Sequence, residues 1–140
     1  MTRTRVLFAL YLVGLARVTL WPKLADDGFD LVHTILEWLD SLGIGLTYGV
    51  TEFLANIALF VPFGILVSLL LPRRPAWTVV ALGLAVSAAI ELAQLLFLPH
   101  RVADVRDLVA NTLGTAVGVG ILLVTRHRSR TPEPEGVGAG

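Results

Sequence analysis

The chain has 140 residues, of which 55% are hydrophobic and only 16% are charged. Soluble domains carry about 25% charged residues, so this composition favours a small membrane protein with several spans. The formal net charge is zero, which gives no basis for nucleic-acid binding. The absence of cysteine excludes disulfides and thiolate metal sites.

The first apolar run covers residues 6–21 and follows Arg3 and Arg5. It is slightly shorter than the roughly 20 residues that a bilayer core requires. No small-x-small cleavage site precedes Pro22, so we interpret the run as a retained first span that also serves as a signal anchor.

Residues 23–51 are too polar to span and form a connector. Within residues 30–40 the apolar side chains recur at helical spacing, at Leu31, Ile35, Trp38 and Leu39. This pattern predicts an amphipathic helix that lies at the extracytoplasmic interface between spans 1 and 2. We expect Gly43, Gly45 and Gly49 to form a flexible return into the membrane.

Three further apolar runs, residues 53–71, 76–98 and 108–124, predict spans 2, 3 and 4. Pro62 and Gly64 lie in the middle of span 2, where the proline is expected to kink the helix. Gly114 and Gly118 form a small-xxx-small pair in span 4, a spacing that lets another helix approach closely.

Charge sets the predicted orientation. With the N-terminus inside, seven arginines are cytoplasmic: Arg3, Arg5, Arg73, Arg74, Arg126, Arg128 and Arg130. The opposite side receives only Lys23, Arg101 and Arg106, so the positive-inside rule places both termini in the cytoplasm. The predicted fold is an all-α membrane protein, a bundle of four transmembrane helices over residues 1–125. Residues 126–140, rich in proline, glutamate and glycine towards their end, are predicted to be a disordered cytoplasmic tail.

Polar residues gather at the outer ends of spans 2, 3 and 4. Ser87, Glu91 and Gln94 are spaced by four and three, which places them on one helix face. The same spacing rule joins the polar residues around the start of span 4: Arg101, Asp104, Asp107 and Asn111. Glu52 and Asn56 share a face at the start of span 2. These eight residues, Glu52, Asn56, Glu91, Gln94, Arg101, Asp104, Asp107 and Asn111, form the predicted polar site.

Two interpretations of this cluster remain open. A carboxylate such as Glu91 costs roughly 2.5–3.5 kcal/mol to insert into lipid, which favours a functional site. In the alternative, arginines neutralise the aspartates and the polar groups hold helices together, each contact contributing about 0.6 kcal/mol.

Three sequence motifs resemble the VanZ-like family. They are NIALFVPFG at residues 56–64, IELAQ at 90–94 and RVADVRDLVANTLG at 101–114, and the similarity covers about residues 5–125. The resemblance implies an integral protein of a bacterial-type plasma membrane. It also implies a link to low-level teicoplanin resistance, the property of the founding relative. No catalytic activity is attached to the family.

Three functions are compatible with these residues. In the first, the protein modifies or masks a cell-envelope component and so alters the access of glycopeptides. Alternatively, it is an enzyme for a lipid-linked substrate, in which the acidic residues act as acid and base or hold a divalent cation, and Arg101 holds a phosphate or carboxylate. Ion-coupled transport is less favoured, because no charges line the inner half of the spans. The expected partners are membrane lipid and a lipid-linked cell-wall precursor or anionic head group, and no cofactor or metal is assigned.

Overall fold

The computed structural model describes residues 2–20, 34, 37–38, 40–41, 47–97 and 104–129. This part of the chain is helical apart from short connections, and it contains no β-strand. Its long helices are α1 (Thr2–Leu20), α2 (Tyr48–Leu70), α3 (Ala76–Phe97) and α4 (Val105–Arg128). The chain is therefore all-α over the described residues.

Three of these helices are long and apolar enough to cross a membrane. They are the segments Gly49–Leu70, Ala76–Phe97 and Val105–Arg128. Helix α1 has 19 residues and carries Arg3, Arg5 and Arg17. The structure thus supports a multi-pass membrane protein, whereas the fourth span remains a prediction.

Helices α2 and α4 begin earlier than the apolar runs indicate. Helix α2 already includes Gly49, which therefore lies in a helix and not in a flexible return. Helix α4 begins at Val105 because the carboxylate of Asp104 accepts a hydrogen bond of 2.8 Å from the backbone N–H of Arg106. This N-cap lets the polar first turn join the apolar helix without a break.

Some predicted features fall partly or wholly outside the described residues. Of the predicted amphipathic segment 30–40, only Thr34, Glu37, Trp38 and Asp40 are described, and they are helical. Its apolar face stays a prediction. Arg101 and all of the predicted tail beyond Ser129 also lie outside the described residues.

Aromatic side chains join α1 to α2. The hydroxyl of Tyr11 donates a hydrogen bond of 2.9 Å to the backbone carbonyl of Leu59. Ring centroids of Phe8, Tyr11, Phe60 and Phe63 lie 5.8 to 6.5 Å apart in neighbouring pairs, within the usual range for aromatic contacts. This cluster continues into the buried core, which comprises Leu15, Phe60, Phe63, Val67, Val79 and Val119.

Helices α2 and α4 meet along a glycine seam, formed by Gly64, Gly114 and Gly118. A Cβ at Gly114 would collide with the carbonyl oxygen of Ile57, and one at Gly118 with that of Val61. A Cβ at Gly64 would collide with the carbonyl oxygen of Thr115 and lie 3.1 Å from the Cα of Gly118. Close backbone approach of this kind is how membrane helices gain packing contacts where lipid is as apolar as the side chains.

Pro62 lies inside α2 and is exposed. Because proline has no N–H, it removes the intrahelical hydrogen bond to the carbonyl of Ala58, four residues earlier. Ala58 is also exposed, so both residues lie on the outer surface of the bundle. The kink expected at this position stays a prediction.

The bundle carries large apolar side chains on its outer surface. Val13 is 68% exposed, Leu96 is 65% exposed and Phe97 is 77% exposed. A soluble monomer rarely displays so continuous an apolar surface, whereas a lipid bilayer matches it.

Candidate functional site

Polar contacts collect at one end of the bundle, where α1 and α3 end and α2 and α4 begin. Side chains of α3 bond to the last turn of α1 and to the first turns of α4, and a side chain of α2 bonds to α4. Neighbouring helices are therefore antiparallel, and this arrangement brings polar positions far apart in the sequence to the same depth.

Asn56 and Asp107 link α2 to α4. The Nδ2 of Asn56 donates a hydrogen bond of 2.6 Å to Oδ1 of Asp107, and both side chains are half-buried. A carboxylate acceptor makes this bond stronger than one between neutral groups. Asp107 also lies in the first turn of α4, where the helix dipole favours a negative charge.

Glu91 joins the end of α3 to the start of α4. Its Oε2 accepts a hydrogen bond of 3.1 Å from the backbone N–H of Asp104. That N–H belongs to the residue that caps α4, so Glu91 helps to fix where the helix begins. Glu91 is half-buried and does not point away from α4.

Asn111 forms the most buried polar contact of the cluster. Its Nδ2 donates a hydrogen bond of 2.9 Å to the hydroxyl of Ser87, which is fully buried. The Oδ1 of Asn111 and the hydroxyl of Thr51 are buried and have no hydrogen-bond partner among the described residues. Each such group costs about 1–3 kcal/mol, because its hydration is lost without replacement.

Gln94 contacts α1, whereas Ser87 and Glu91 of the same helix contact α4. Its Nε2 donates a hydrogen bond of 2.9 Å to the backbone carbonyl of Thr19, near the end of α1. Gln94 is buried, and it closes the α1 side of the bundle end.

The charged rim includes Glu52 and Arg106. Glu52 is half-buried and precedes Asn56 by one turn of α2. Arg106 is exposed, and its Nη1 lies 4.0 Å from the position that a Cβ on Gly49 would take. The described part of this end thus has four carboxylates, on Glu52, Glu91, Asp104 and Asp107, and two guanidinium groups, those of Arg106 and of Arg17 in the last turn of α1.

The structure therefore brings Asn56 to Asp107 and Glu91 to Asp104, and it places Asn111 beside Ser87. It adds Thr51 and Arg106, which the sequence did not single out as site residues. Thr51 gave no signal, because a threonine in the first turn of a helix resembles an ordinary capping residue. Among the described residues no three acidic or histidine side chains are grouped so as to hold a metal ion.

A family model described as VanZ/LLP1 matches residues 8–126 of the chain. The matched range runs from α1 to the last turn of α4 and includes every residue of the polar cluster. Comparison with curated proteins and with solved structures gives no match.

Proposed function

Since the chain belongs to the VanZ/LLP1 family, we propose that it is a multi-pass plasma-membrane protein that modifies or masks a cell-envelope component through an outward-facing polar site. In this proposal the protein lowers susceptibility to glycopeptides of the teicoplanin type. The observation that carries the proposal is the polar cluster at one end of an otherwise apolar bundle, where two buried polar atoms have no partner in the described part of the chain.

Charge supports the orientation. The described arginines at the end opposite the cluster are Arg3, Arg5, Arg73, Arg74, Arg126 and Arg128. By the positive-inside rule that end faces the cytoplasm, and the polar cluster faces outward. Helix α1 supplies the fourth crossing in this proposal. Its 19 residues extend for about 28 Å, close to the roughly 30 Å of a bilayer core, and its arginines lie near its two ends.

The depth of Asn111 favours a ligand over simple helix packing. It lies six residues after Val105, which is about 9 Å along the axis from the start of α4. At that depth an unpaired carbonyl oxygen is destabilising. A bound molecule that donates a hydrogen bond to it would remove the penalty, and an envelope component with amide or hydroxyl groups has such donors.

The test is the substitution Glu91→Gln. Glutamine keeps an oxygen acceptor for the Asp104 N–H and removes only the charge, so we expect unchanged expression and melting temperature. We expect the teicoplanin phenotype to be lost in a glycopeptide-susceptible Gram-positive host that expresses the variant. Glu37→Gln is the matched control, because Glu37 is exposed and lies outside the cluster. A well-folded Glu91→Gln protein with full resistance, or a natural protein without any effect on susceptibility, contradicts the proposal.

An enzyme for a lipid-linked substrate at the outer leaflet is the second candidate. It is favoured by two carboxylates that accept hydrogen bonds at this end of the bundle, Glu91 near the end of α3 and Asp107 in the first turn of α4. Such groups suit acid–base catalysis. Mass analysis of a lipid-linked precursor incubated with purified protein separates the candidates, since only an enzyme changes its covalent structure.

A further inference from the structure

The end of the bundle opposite the polar cluster is basic. No acidic residue occurs in the described segments 2–20, 53–90 and 108–129. The same segments contain Arg73 and Arg74 in the turn after α2, and Arg126 and Arg128 at the end of α4. This end therefore carries positive charge without nearby described carboxylates.

A cavity of about 80 Å³ opens at this end, between the α2–α3 turn and the last turns of α4. Its lining includes the apolar residues Val79, Val119 and Leu122 and two arginines, Arg74 and Arg126. The volume is several times the about 10–15 Å³ that one water needs. The cavity thus combines apolar residues with two arginines, whose guanidinium groups are planar cationic donors.

We propose that this cavity binds the phosphate group of an anionic phospholipid from the cytoplasmic leaflet. Arginine pairs with phosphate through two parallel N–H···O bonds, and Arg74 and Arg126 have no acidic partner among the described residues. The apolar wall continues to the exposed Leu123 and Val124 on the outside of α4, which gives an acyl chain a path to the bilayer. Basic pockets between cytoplasmic helix ends recognise anionic head groups by this chemistry.

The position of Trp77 supports a cavity that lies at the level of the lipid head groups. Trp77 lies in the first turn of α3, one residue after Ala76 of the cavity lining, and is 71% exposed. Tryptophan concentrates at membrane interfaces, so this side chain marks the level of the head groups. The cavity is therefore at the level where lipid phosphates occur.

The experiment measures the melting temperature of the full chain in neutral detergent as dioleoylphosphatidylglycerol is added. Dioleoylphosphatidylcholine and inorganic phosphate are added in parallel, and native mass spectrometry counts bound lipids. The test variant is Arg74→Gln/Arg126→Gln. The matched control is Arg73→Gln/Arg128→Gln, which removes the same charge from the same turn and helix end but spares the cavity.

We expect phosphatidylglycerol to stabilise the natural chain and the control by binding the folded state. The test variant should need roughly tenfold more of this lipid or more, because it loses two charge-assisted contacts. Equal losses in both double variants, or equal effects of the two lipids, overturn the proposal. So does an effect that inorganic phosphate alone reproduces.

Two further measurements keep the proposal testable if the glutamine variant folds poorly. Arg74→Lys/Arg126→Lys keeps the charge and should still bind phosphatidylglycerol more weakly than the natural chain, since an ammonium lacks the paired donors. The variant Glu133→Gln/Glu135→Gln tests whether carboxylates of the C-terminal tail, and not a lipid phosphate, occupy the cavity. If only this variant responds to phosphatidylglycerol, the tail occupies the cavity and the proposal is wrong.

Discussion

The substitution Gly118→Ala tests whether α2 and α4 are in backbone contact. A Cβ at Gly118 would collide with the carbonyl oxygen of Val61 and lie 3.0 Å from the backbone nitrogen of Ile65. Gly120, two residues later in the same helix, has no atom of the described residues within 4 Å of the corresponding position. Gly120→Ala is therefore a matched control for Gly118→Ala.

The two variants gain the same helix propensity but differ in packing. Alanine is favoured over glycine in a helix by up to about 1 kcal/mol, so Gly120→Ala should be stabilising or neutral. At Gly118 the colliding atoms belong to backbone, which no side-chain rotation can move away. Overpacking of this kind costs about 1–3 kcal/mol or more. Because the gain in helix propensity cancels between the two variants, their unfolding free energies should differ by about this packing cost.

Reversible unfolding in mixed micelles, with a denaturing detergent titrated into a mild one, measures this difference. Gly14→Ala in α1 provides a second control, since no described atom lies within 4 Å of a Cβ there. Equal unfolding free energies for Gly118→Ala and Gly120→Ala would refute the glycine seam.

Three other predictions concern topology and single contacts. In intact cells an impermeant thiol reagent should label the variant Asp40→Cys and should not label Ser129→Cys. The reverse labelling pattern would invert the proposed orientation. Tyr11→Phe removes the hydroxyl bond to α2 and should lower the unfolding free energy by about 0.5–1.5 kcal/mol, measured in the same micelles; an unchanged value contradicts that bond. Asn111→Leu loses one side-chain bond but also removes the unpaired carbonyl, so stability should stay within about 1 kcal/mol while glycopeptide resistance is lost. If resistance survives this change, Asn111 serves only in helix packing.

The helical class and the membrane character could be predicted, because they depend on long uncharged runs and on little else. The family could be predicted from three short motifs, and the match over residues 8–126 confirms it. Helix boundaries were harder, since hydropathy marks where lipid contact ends and not where the helix ends. Asp104 illustrates this: its spacing to Asp107 placed it on a helix face, whereas it is the N-cap residue that precedes α4 and accepts from the Arg106 N–H.

The partners of the polar side chains could not be predicted from spacing. Glu91 and Gln94 are three residues apart, which separates them by about 60° around the helix axis. That angle is enough for Glu91 to contact the start of α4 while Gln94 contacts α1. Which helix fills each direction depends on crossing geometry, and this is set by glycines such as Gly83, where the side chain of Thr115 fills the space of a Cβ.

Helix α4 connects the two ends of the molecule physically. Its first turns carry Asp107 and Asn111, its middle carries the glycine seam, and its last turns line the basic cavity. Because backbones touch along the seam, α4 cannot slide against α2 without a collision, and close-packed interfaces do not deform continuously. The α3 face of α4 is joined by side chains instead: Asn111 bonds to Ser87, Glu91 accepts from the Asp104 N–H, and Thr115 packs against Gly83. A ligand of the kind proposed would therefore reach Asn111 by movement on the α3 side, where side chains can change rotamer.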